Sequence, residues 1–287
     1  MNVLFFGMGF SSLASARLLR ERHPDAVITG TSRTPEGVAA LQGQGFDAVV
    51  FDGETVSEAL AAALATATHL IHSIPPNAGG DPVLLAARPA LDAAENLEWI
   101  GYYSTVGVYG GTDGEWVDEQ TPPRPKNARS QQRVDAEAAW QAFGLAQDIP
   151  VAVLRLAGIY GPGRSAFDKL RDGTARRIVK PGQVFSRIHV ADIATITALA
   201  AERRLAGTFN ITDDEPAPPQ DLITYAAGLL GMDPPPEIPF ETADMTPMQR
   251  SFYADNKRVS NRAIKQALGL TLRYPDYRQG LKAILSP

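Results

Sequence analysis

Short runs of apolar residues alternate with longer segments rich in alanine, leucine and glutamate through the first half of the chain. The runs have the length of buried strands and lie at 3–6, 26–29, 48–51, 69–71, 99–103 and 151–156. The longer segments have helical character and lie at 11–22, 56–65, 82–95 and 130–143. Buried strands that alternate with helices predict parallel βαβ units with right-handed crossovers, and therefore a doubly wound parallel sheet.

The pattern weakens toward the C-terminus. Strand-like and helix-like segments continue through 187–199 and 208–211, and proline-rich stretches follow at 216–219 and 234–239. Proline removes a backbone donor and fixes φ, so these stretches are typical of loops. We therefore predict a larger domain formed by residues 1–165 and 186–212, and a smaller C-terminal α/β lobe formed by residues 166–185 and 213–287.

Composition and charge limit the possible partners. The chain has 287 residues, of which 44% are hydrophobic and 21% charged, and a formal net charge of −5. The acidic balance argues against a nucleic-acid partner, which needs a basic face. No apolar stretch approaches the roughly 18 residues of a membrane span, and no signal peptide is expected. The absence of cysteine excludes disulfides and thiolate catalysis, and it favours a cytoplasmic location.

A glycine-rich loop directly follows the first apolar run. It reads Gly7-Met8-Gly9-Phe10-Ser11-Ser12, a G-x-G-x-x-G pattern in which Ser12 replaces the third glycine. Between a strand and a helix, such a loop brings backbone N–H groups and a helix N-terminus to a pyrophosphate. The pattern predicts a Rossmann-type domain whose cofactor-binding residues include Gly7, Gly9, Phe10, Ser11 and Ser12. A tight strand-to-helix turn without a ligand is the alternative that the loop alone leaves open.

The end of the second strand indicates the type of dinucleotide. An NAD site usually has Asp or Glu there for the ribose 2′-hydroxyl, whereas an NADP site offers a positive group to the 2′-phosphate. Residues 26–35 contain no carboxylate, and Ser32-Arg33 follows the strand. Both side chains suit phosphate oxygens, so we expect NADP, with NAD as the alternative. Cofactor contacts are also expected from residues after the third and fourth strands: Asp52, Gly53, Ser73, Ile74 and Pro75.

Further segments resemble the extended short-chain dehydrogenase/reductases, the group of nucleotide-sugar epimerases and dehydratases. They are YSTVGVYG at 103–110, LRLAGIYGPG at 154–163, FSRIHVADIA at 185–194 and GTFNI at 207–211. The tail at 257–261, 268–270 and 274–281 is similar to the YeeZ-like branch of this superfamily. The resemblance implies an NAD(P)-binding oxidoreductase or epimerase and a homodimer built through helices that flank the sheet. It also implies cofactor contacts from Ser104, Ala157, Gly158 and Ile159.

The resemblance implies a catalytic Tyr-x-x-x-Lys pair on the helix after the VYG segment, but this chain lacks it. When Glu137 is matched to the family's usual glutamate, Arg129 occupies the tyrosine position and Arg133 the lysine position. Arginine stays charged in proteins and cannot act as the proton donor. Thr105 matches the family's catalytic hydroxyl position; its alternative interpretation is a strand-end hydroxyl bonded to backbone. Thr105, Arg129 and Arg133 are the candidate catalytic residues.

Several arginines suggest an anionic substrate. Arg129 and Arg133 lie four residues apart, so on a helix they share one face and can bind a phosphate or carboxylate. A solvated surface paired with acidic neighbours is the alternative. Arg164 and Arg187 extend the first possibility as substrate-binding candidates, and the substrate is expected to be small and nucleotide-sugar-like. The histidines have no metal-ligand spacing, so no metal site is expected.

The sequence leaves two functions open. The first is an NADP-linked oxidoreductase or epimerase that uses Thr105, water or a substrate group in place of the missing tyrosine. The second is a non-catalytic NADP(H)-binding module that reports the redox state of the cofactor to a partner protein. The only literal YxxxK, Tyr253 to Lys257, falls in the C-terminal lobe, and we interpret it as a coincidence of residue types.

Overall fold

The structure is a computed structural model that describes residues 1–285. The chain divides into two compact units. The first unit contains Met1–Thr105, Asn127–Arg155 and Ile193–Phe209. The second unit contains Val106–Lys126, Leu156–Asp192 and the described residues from Asn210 onwards. Each unit is treated by itself below.

The strands and helices follow one another in the order expected of an α/β protein. The strands are β1 (Asn2–Phe6), β2 (Val27–Ser32), β3 (Asp47–Val50), β4 (His69–His72), β5 (Trp99–Thr105), β6 (Trp116–Val117), β7 (Val151–Leu156), β8 (Gly158–Tyr160), β9 (Arg177–Val179), β10 (Arg187–His189), β11 (Gly207–Ile211), β12 (Glu237–Pro239) and β13 (Arg258–Val259). The helices are α1 (Phe10–Arg22), α2 (Pro35–Gln42), α3 (Glu58–Thr66), α4 (Pro82–Ala86), α5 (Arg88–Asp92), α6 (Ala128–Gln147), α7 (Ala166–Arg171), α8 (Val190–Glu202), α9 (Pro219–Leu229), α10 (Pro247–Ala254), α11 (Arg262–Leu268) and α12 (Tyr277–Leu285).

A seven-stranded parallel sheet dominates the described chain, with the strand order β11-β7-β5-β4-β1-β2-β3. The order reverses between β1 and β4, which is the switch point where doubly wound sheets bind ligands at the carboxyl ends of their strands. The predicted fold class, an α/β Rossmann-type doubly wound sheet, is confirmed. Strands β1, β4 and β5 are almost wholly buried because helices cover both faces of the sheet.

Helix α6 carries the positions of the missing catalytic pair, and its ends explain how it is placed. Asn127 caps the helix by accepting a hydrogen bond from the Ser130 N–H at 2.9 Å. At the other end Asp148 adopts a left-handed conformation with φ of +55° and stops the helix. The helix is therefore longer than predicted at both ends.

Two local predictions differ from the structure. The predicted helix 82–95 is divided into α4 and α5, because Pro89 lacks a backbone N–H and is confined to the first turn of a helix. Helix α2 was not predicted, although it carries an N-terminal signal: Thr34 accepts from the Gly37 N–H at 3.2 Å, and Pro35 follows it. At eight residues, α2 is too short to give a clear periodic pattern.

The second unit contains three two-stranded parallel pairs, β8 with β10, β9 with β12, and β6 with β13. Its largest apolar cluster is formed by side chains of β8, α7, α9 and α12, among them Tyr160, Phe167, Ile223 and Leu281. Residues 106–126 and 156–165 belong to this unit rather than to the first one. The reason is pairing: β6 pairs with β13, and β8 pairs with β10. Among the described helices none is both long enough and apolar enough to cross a membrane.

Candidate functional site

The glycine loop lies at the carboxyl end of β1. Gly7 has φ of +83°, which glycine adopts without strain. A Cβ built on Gly7 would lie 2.9 Å from Cγ1 of Ile74, so a larger residue would collide with the end of β4. A Cβ built on Gly9, in contrast, would meet no described atom within 4 Å. The backbone of Gly9 therefore borders open space that a pyrophosphate can approach closely.

Helix α1 starts at this loop and presents an uncapped N-terminus. Gly9 is its N-cap residue and has no side chain to accept the first N–H groups, and the first turn contains no acidic residue. The N–H groups of a first helical turn lack partners within the helix and form the positive end of its dipole. The loop and helix therefore fit a dinucleotide pyrophosphate.

Ser12, which stands in place of the third glycine, has a structural explanation. The residue is 1% exposed, and its Oγ donates a hydrogen bond to Ser73 Oγ at 3.1 Å. Ser73 Oγ in turn donates to the Gly7 carbonyl at 2.6 Å. These bonds join α1, the end of β4 and the glycine loop. A polar contact thus replaces the close helix-to-strand packing that the third glycine usually provides.

The end of β2 is bound to the same loop. Thr31 Oγ1 accepts from the Gly7 N–H at 2.9 Å, and the Thr31 carbonyl accepts from the Met8 N–H at 3.0 Å. Ser32 packs its Oγ against Gly37 in the first turn of α2, where a Cβ would overlap it. Arg33 follows, is exposed, and forms no hydrogen bond or ion pair with the described residues. Its guanidinium is therefore available to a phosphate beyond the end of β2.

The loop after β3 holds Asp52 in a turn of its own. Asp52 Oδ1 accepts from the N–H groups of Glu54 and Thr55, each at 2.9 Å. These two bonds hold the pKa of the exposed Asp52 carboxyl below its usual range. Gly53 has φ of +102°, which lets the chain turn away from the sheet. Ionised Asp52 stays a predicted contact of the adenosine half of the cofactor.

A buried ion pair joins β5, α6 and β7. Glu137 is 4% exposed and Arg155 is 6% exposed. The Arg155 guanidinium donates to Glu137 from Nη2 at 2.6 Å and from Nε at 3.1 Å, and Ser104 Oγ donates to Glu137 Oε1 at 2.5 Å. Glu137 was matched to the family motif in the sequence, but its buried ion pair was not predicted. The signal for its partner, an arginine inside the apolar run of β7, was available but was not interpreted.

Arg133 turns toward the sheet one helical turn before Glu137. Its Nη1 donates to the Tyr103 carbonyl at 2.8 Å and to the Tyr102 hydroxyl at 3.0 Å. It is half-buried, whereas Arg129, one turn earlier, is exposed. The side chain at the family's lysine position is therefore bound to the end of β5, next to Thr105, instead of to the acidic residues of its own helix.

The tyrosines of β5 do not replace the missing proton donor. Burial raises the pKa of Tyr102 to about 12 and that of Tyr103 to about 12. The Tyr103 hydroxyl is within 2.7 Å of Ser15 Oγ and 2.8 Å of Thr197 Oγ1. Both phenols therefore keep their protons at neutral pH. Thr105, half-buried at the end of β5, has the hydroxyl that the family motif predicts.

A histidine and a carboxyl lie behind Tyr102. His72 stacks on the Tyr102 ring with centroids 5.3 Å apart, and its Nε2 is 2.8 Å from Asp81 Oδ2. Asp81 also accepts from the N–H groups of Val83 and Leu84, where it caps α4. His69 makes different contacts, with Thr68 Oγ1 and the Ala201 carbonyl. The two histidines are thus part of the packing on each side of β4.

The remaining predicted contacts lie in the second unit. Ala157 and Gly158 connect β7 to β8, and their N–H groups donate to the carbonyls of Ile211 and Ser186. Ile159 follows on β8. Arg164 is exposed on the YGPG turn, which is closed by hydrogen bonds between the backbones of Gly161 and Arg164.

Arg187, the second predicted substrate arginine, lies on β10 and is buried. Its Nη1 donates to the carbonyls of Phe185 and Ala217 at 2.9 and 3.1 Å. Desolvation lowers its pKa, and the charge of Asp213 opposes that effect. The guanidinium is therefore held by backbone oxygens inside the unit, a role that its sequence position did not indicate.

Asp213 is the acidic neighbour of Arg187 and was not predicted as a site residue. It is 1% exposed, and neither carboxyl oxygen accepts a well-aligned hydrogen bond from the described residues. The backbone N–H groups of Glu215 and Arg187 lie near enough to lower its pKa. Burial outweighs them and the Arg187 charge, and it raises the pKa to about 8.

His189 is a packing residue. Its Nδ1 accepts from the Ala191 N–H at 3.1 Å, and its ring lies 5.2 Å from Tyr160 and 4.2 Å from Tyr274, measured between centroids. Burial lowers its pKa to about 4, so the ring is neutral at physiological pH. The YxxxK residues are also separated: Tyr253 is on α10, which ends at Ala254, and Lys257 lies beyond the helix.

Comparison with known proteins extends over the whole chain. No protein-family model matches it. A 3-diazoavenalumate denitrifying reductase from a Streptomyces species is 26% identical over 300 residues, which cover 94% of this chain and 94% of the relative. Protein YeeZ of Escherichia coli is 28% identical over 291 residues, which cover 96% of each chain.

Solved structures show the same architecture. A conserved protein of unknown function from Silicibacter pomeroyi is 48% identical, with a TM-score of 0.90 over 99% of this chain and 98% of that one. The dTDP-glucose 4,6-dehydratase of Bacillus anthracis, in complex with NAD, is 16% identical with a TM-score of 0.79 over 100% and 96%. The human epimerase family protein SDR39U1, with NADPH, is 21% identical with a TM-score of 0.76 over 100% and 99%.

The buried ion pair leads to a stability prediction. Replacing Glu137 with alanine leaves the Arg155 charge buried without its partner, and we expect the free energy of unfolding to fall by about 3–5 kcal/mol. Replacing both residues with methionine should recover most of this loss, because no uncompensated charge remains. Urea unfolding followed by tryptophan fluorescence measures both changes.

The matched control is the exposed pair of Arg88 and Asp92 on α5. The Asp92→Ala variant should lose less than about 1 kcal/mol, because water screens an exposed pair. A loss in Glu137→Ala as small as that in Asp92→Ala would contradict a structural role for the buried pair.

The raised pKa of Asp213 leads to a pH prediction. The carboxyl binds its proton more tightly in the folded state, with a pKa of about 8, than in the unfolded state, where it is about 3.9. Its contribution to stability is therefore complete below about pH 4 and is lost as the pH rises toward 8. We expect the stability of the wild type, relative to Asp213→Asn, to decrease by roughly 2–4 kcal/mol between pH 5 and pH 8. Thermal unfolding at both pH values tests this, and a pH-independent difference would show that Asp213 is ionised throughout.

Proposed function

This chain belongs to the extended short-chain dehydrogenase/reductases, in their YeeZ-like branch, and from that premise we propose that it is an NADP-linked reductase of small anionic substrates. The observation that carries the proposal joins two features of the first unit. The groups that fit a dinucleotide pyrophosphate are retained at Gly7, Gly9 and α1, while the family's tyrosine and lysine positions hold Arg129 and Arg133.

The cofactor proposal rests on residues of the first unit. Gly9 and the N-terminus of α1 would hold the pyrophosphate, and Arg33 would bind a 2′-phosphate beyond β2. Among proteins of similar fold, the human one is described with NADPH and the Bacillus anthracis dehydratase with NAD. The exposed Arg33 and the lack of a carboxylate on β2 favour NADP here. When bound, this cofactor supplies the hydride.

The residues at the end of β5 favour reduction over epimerisation or dehydration. Those two reactions begin by removing a proton from a substrate hydroxyl, which requires a side chain that can take up that proton. Arginine is a poor base, and Tyr102 and Tyr103 keep their protons up to about pH 12. A reduction whose acceptor needs no proton from the protein avoids this requirement.

The Streptomyces relative is named for such a reaction, the reductive loss of nitrogen from a diazo acid. When hydride replaces dinitrogen on an aryl diazonium cation, the carbon–nitrogen bond breaks and its electron pair leaves with the neutral dinitrogen. The hydride brings the new pair, so neither charge nor atom balance calls for a proton. We therefore propose that the substrate carries an electrophilic carbon of this kind together with a carboxylate or phosphate. The reaction at that carbon is complete once it has received hydride.

Each side chain has a defined task in this proposal. Arg133, bound to Tyr102 and Tyr103, keeps the end of β5 in place. Thr105, the last residue of that strand, orients the acceptor through its hydroxyl. Arg129, exposed one turn earlier on α6, binds the anionic group of the substrate. The arginine positions thus serve orientation and charge, and no proton transfer is assigned to them.

Arg33 gives a direct test of the cofactor. Fluorescence titration should show that the wild type prefers NADPH to NADH, and that Arg33→Ala loses about tenfold or more of this preference, which is about 1.4 kcal/mol. The control is Arg88→Ala, a surface arginine paired with Asp92, which should keep the preference. Equal affinities of the wild type for NADPH and NADH would contradict the NADP assignment.

Activity tests the reaction. We expect NADPH oxidation with aryl diazonium carboxylates, corrected for the reaction without protein, and no turnover of nucleotide sugars. The rate should be flat from about pH 6 to pH 9, because no tyrosine at β5 titrates there. Thr105→Val should lower kcat/KM by about tenfold, whereas Thr105→Ser should retain it. If NADPH binds but no substrate is turned over and Thr105→Val changes nothing, the protein is a cofactor-binding module and not a reductase.

A further inference from the structure

A buried lysine in the second unit has no close partner. The side chain of Lys257 is 9% exposed, and its nearest acidic atom is Asp255 Oδ2, 3.8 Å from Nζ. Nζ donates no hydrogen bond to any described residue. Other lysines of this unit are better matched: Lys265 Nζ lies 2.9 Å from Asp214, and Lys180 Nζ donates to the Tyr253 carbonyl. The ammonium therefore has one long ion pair and no hydrogen bond, and its donors are left for a ligand to satisfy.

A second lysine lies close to it. Lys126 Nζ packs over Gly111, where a Cβ would lie 3.0 Å from Nζ and 3.0 Å from the Ala254 carbonyl oxygen. The Lys126 charge is near enough to lower the pKa of Lys257, although burial is the larger cause and Asp255 acts in the opposite direction. Two like charges near each other repel, and the Asp255 carboxylate, 3.8 Å from Lys257 Nζ, offsets them in part.

The backbone around both lysines is fixed. Asn256, which precedes Lys257, accepts from the N–H groups of Thr112 and Gly114 through its carbonyl, and its side chain bonds Gly182 and Val184. Gly110 has φ of +65°, and a Cβ there would overlap the Arg124 carbonyl, so the segment that carries Lys126 passes directly over it. The backbone that carries the two lysines is therefore fixed before any ligand arrives.

A buried side-chain oxygen near the same segment also lacks a hydrogen-bond partner in the described chain. Gln183 is 1% exposed, and its Nε2 donates to the Asp255 carbonyl at 3.1 Å. Its Oε1 is buried without a hydrogen-bond partner in the described chain. Unsatisfied buried polar groups are rare in native proteins and often mark a place where a ligand or water belongs.

We infer that Lys257 and Lys126 form an oxyanion-binding site of the second unit, beside Gly110 and Gly111, for a carboxylate or phosphate group. An oxyanion supplies the hydrogen-bond acceptors that Lys257 lacks, and it adds a second negative charge to that of Asp255. The inference is independent of the proposed function, in which Arg129 of the first unit binds the anionic group of the substrate. Binding of the oxyanion itself does not need the cofactor.

Thermal unfolding without NADPH tests the site, with inorganic phosphate and benzoate as separate probes and chloride to keep the ionic strength constant. We expect one or both probes to raise the Tm of the wild type in a saturable manner, and the arms show whether phosphate or carboxylate is preferred. In Lys257→Met the affinity should fall by about tenfold or more, and in Lys126→Gln it should fall less. Lys282→Gln, an exposed lysine on α12, is the control and should respond like the wild type.

The stability of the Lys257→Met variant without anion is a second test. Lys257→Met removes the repulsion from Lys126 together with the long ion pair to Asp255, so without anion its Tm should stay close to that of the wild type. If this variant does not fold, acylation of the wild-type lysines, read by mass spectrometry, replaces it: the anion should protect Lys257 and leave Lys282 unchanged. The inference is overturned if neither probe stabilises or protects the wild type, or if Lys257→Met responds as the wild type does.

The two proposals fail separately. NADPH titration should give the same affinity for Lys257→Met and wild type. If the protein binds anions but not NADPH, the proposed function is contradicted and the oxyanion site is retained. NADPH oxidation with an unchanged Lys257→Met response to anions would retain the function and remove the site.

Discussion

The ion pair between Glu137 and Arg155 is the interaction on which the candidate site depends most. Removing one partner of a buried pair costs several times more than removing a partner of an exposed one, so the rotation of α6 against β5 and β7 is tightly specified. That rotation turns Arg133, four residues before Glu137, onto the Tyr103 carbonyl. The two helix positions that match the family's tyrosine and lysine are therefore held in a defined place, and the proposed function uses them for charge and orientation.

Two places at the sheet edge differ from the family pattern, and the differences have different consequences. At β1, replacement of the third glycine by Ser12 preserved the arrangement, because its hydroxyl reaches Ser73 and joins the same three elements. At α6, replacement by arginine changed the chemistry, because a guanidinium binds anions but does not exchange protons near neutral pH. Both differences fit the proposed function, in which the hydride acceptor needs no proton from the protein.

The fold was predictable because each buried strand is a continuous apolar run and the glycine loop marks the first crossover. Other features were not readable locally. Strand β6 has two residues and pairs with β13, which lies much later in the chain, so residues 106–126 gave no sign of belonging to the second unit. Arg187 has the sequence position of an anion ligand, yet two backbone carbonyls hold its guanidinium. The isolation of Lys257 depends on packing from distant segments, and no neighbouring residue signals it.

The buried cations of the second unit, Arg187 and Lys257, are only partly compensated by nearby negative charge. A carboxyl with a pKa of about 8 is mostly protonated at neutral pH, so Asp213 does not fully compensate Arg187; the backbone carbonyls compensate it in part. Lys257 lacks even those acceptors. A chain with a net charge of −5 has carboxylates to spare, so the lack of a closer counter-ion at Lys257 is not a matter of composition. Such positions cost stability in the free protein and lower the cost of binding an anion, because the cation is already desolvated and in place. That exchange of stability for binding is what the proposed oxyanion site requires.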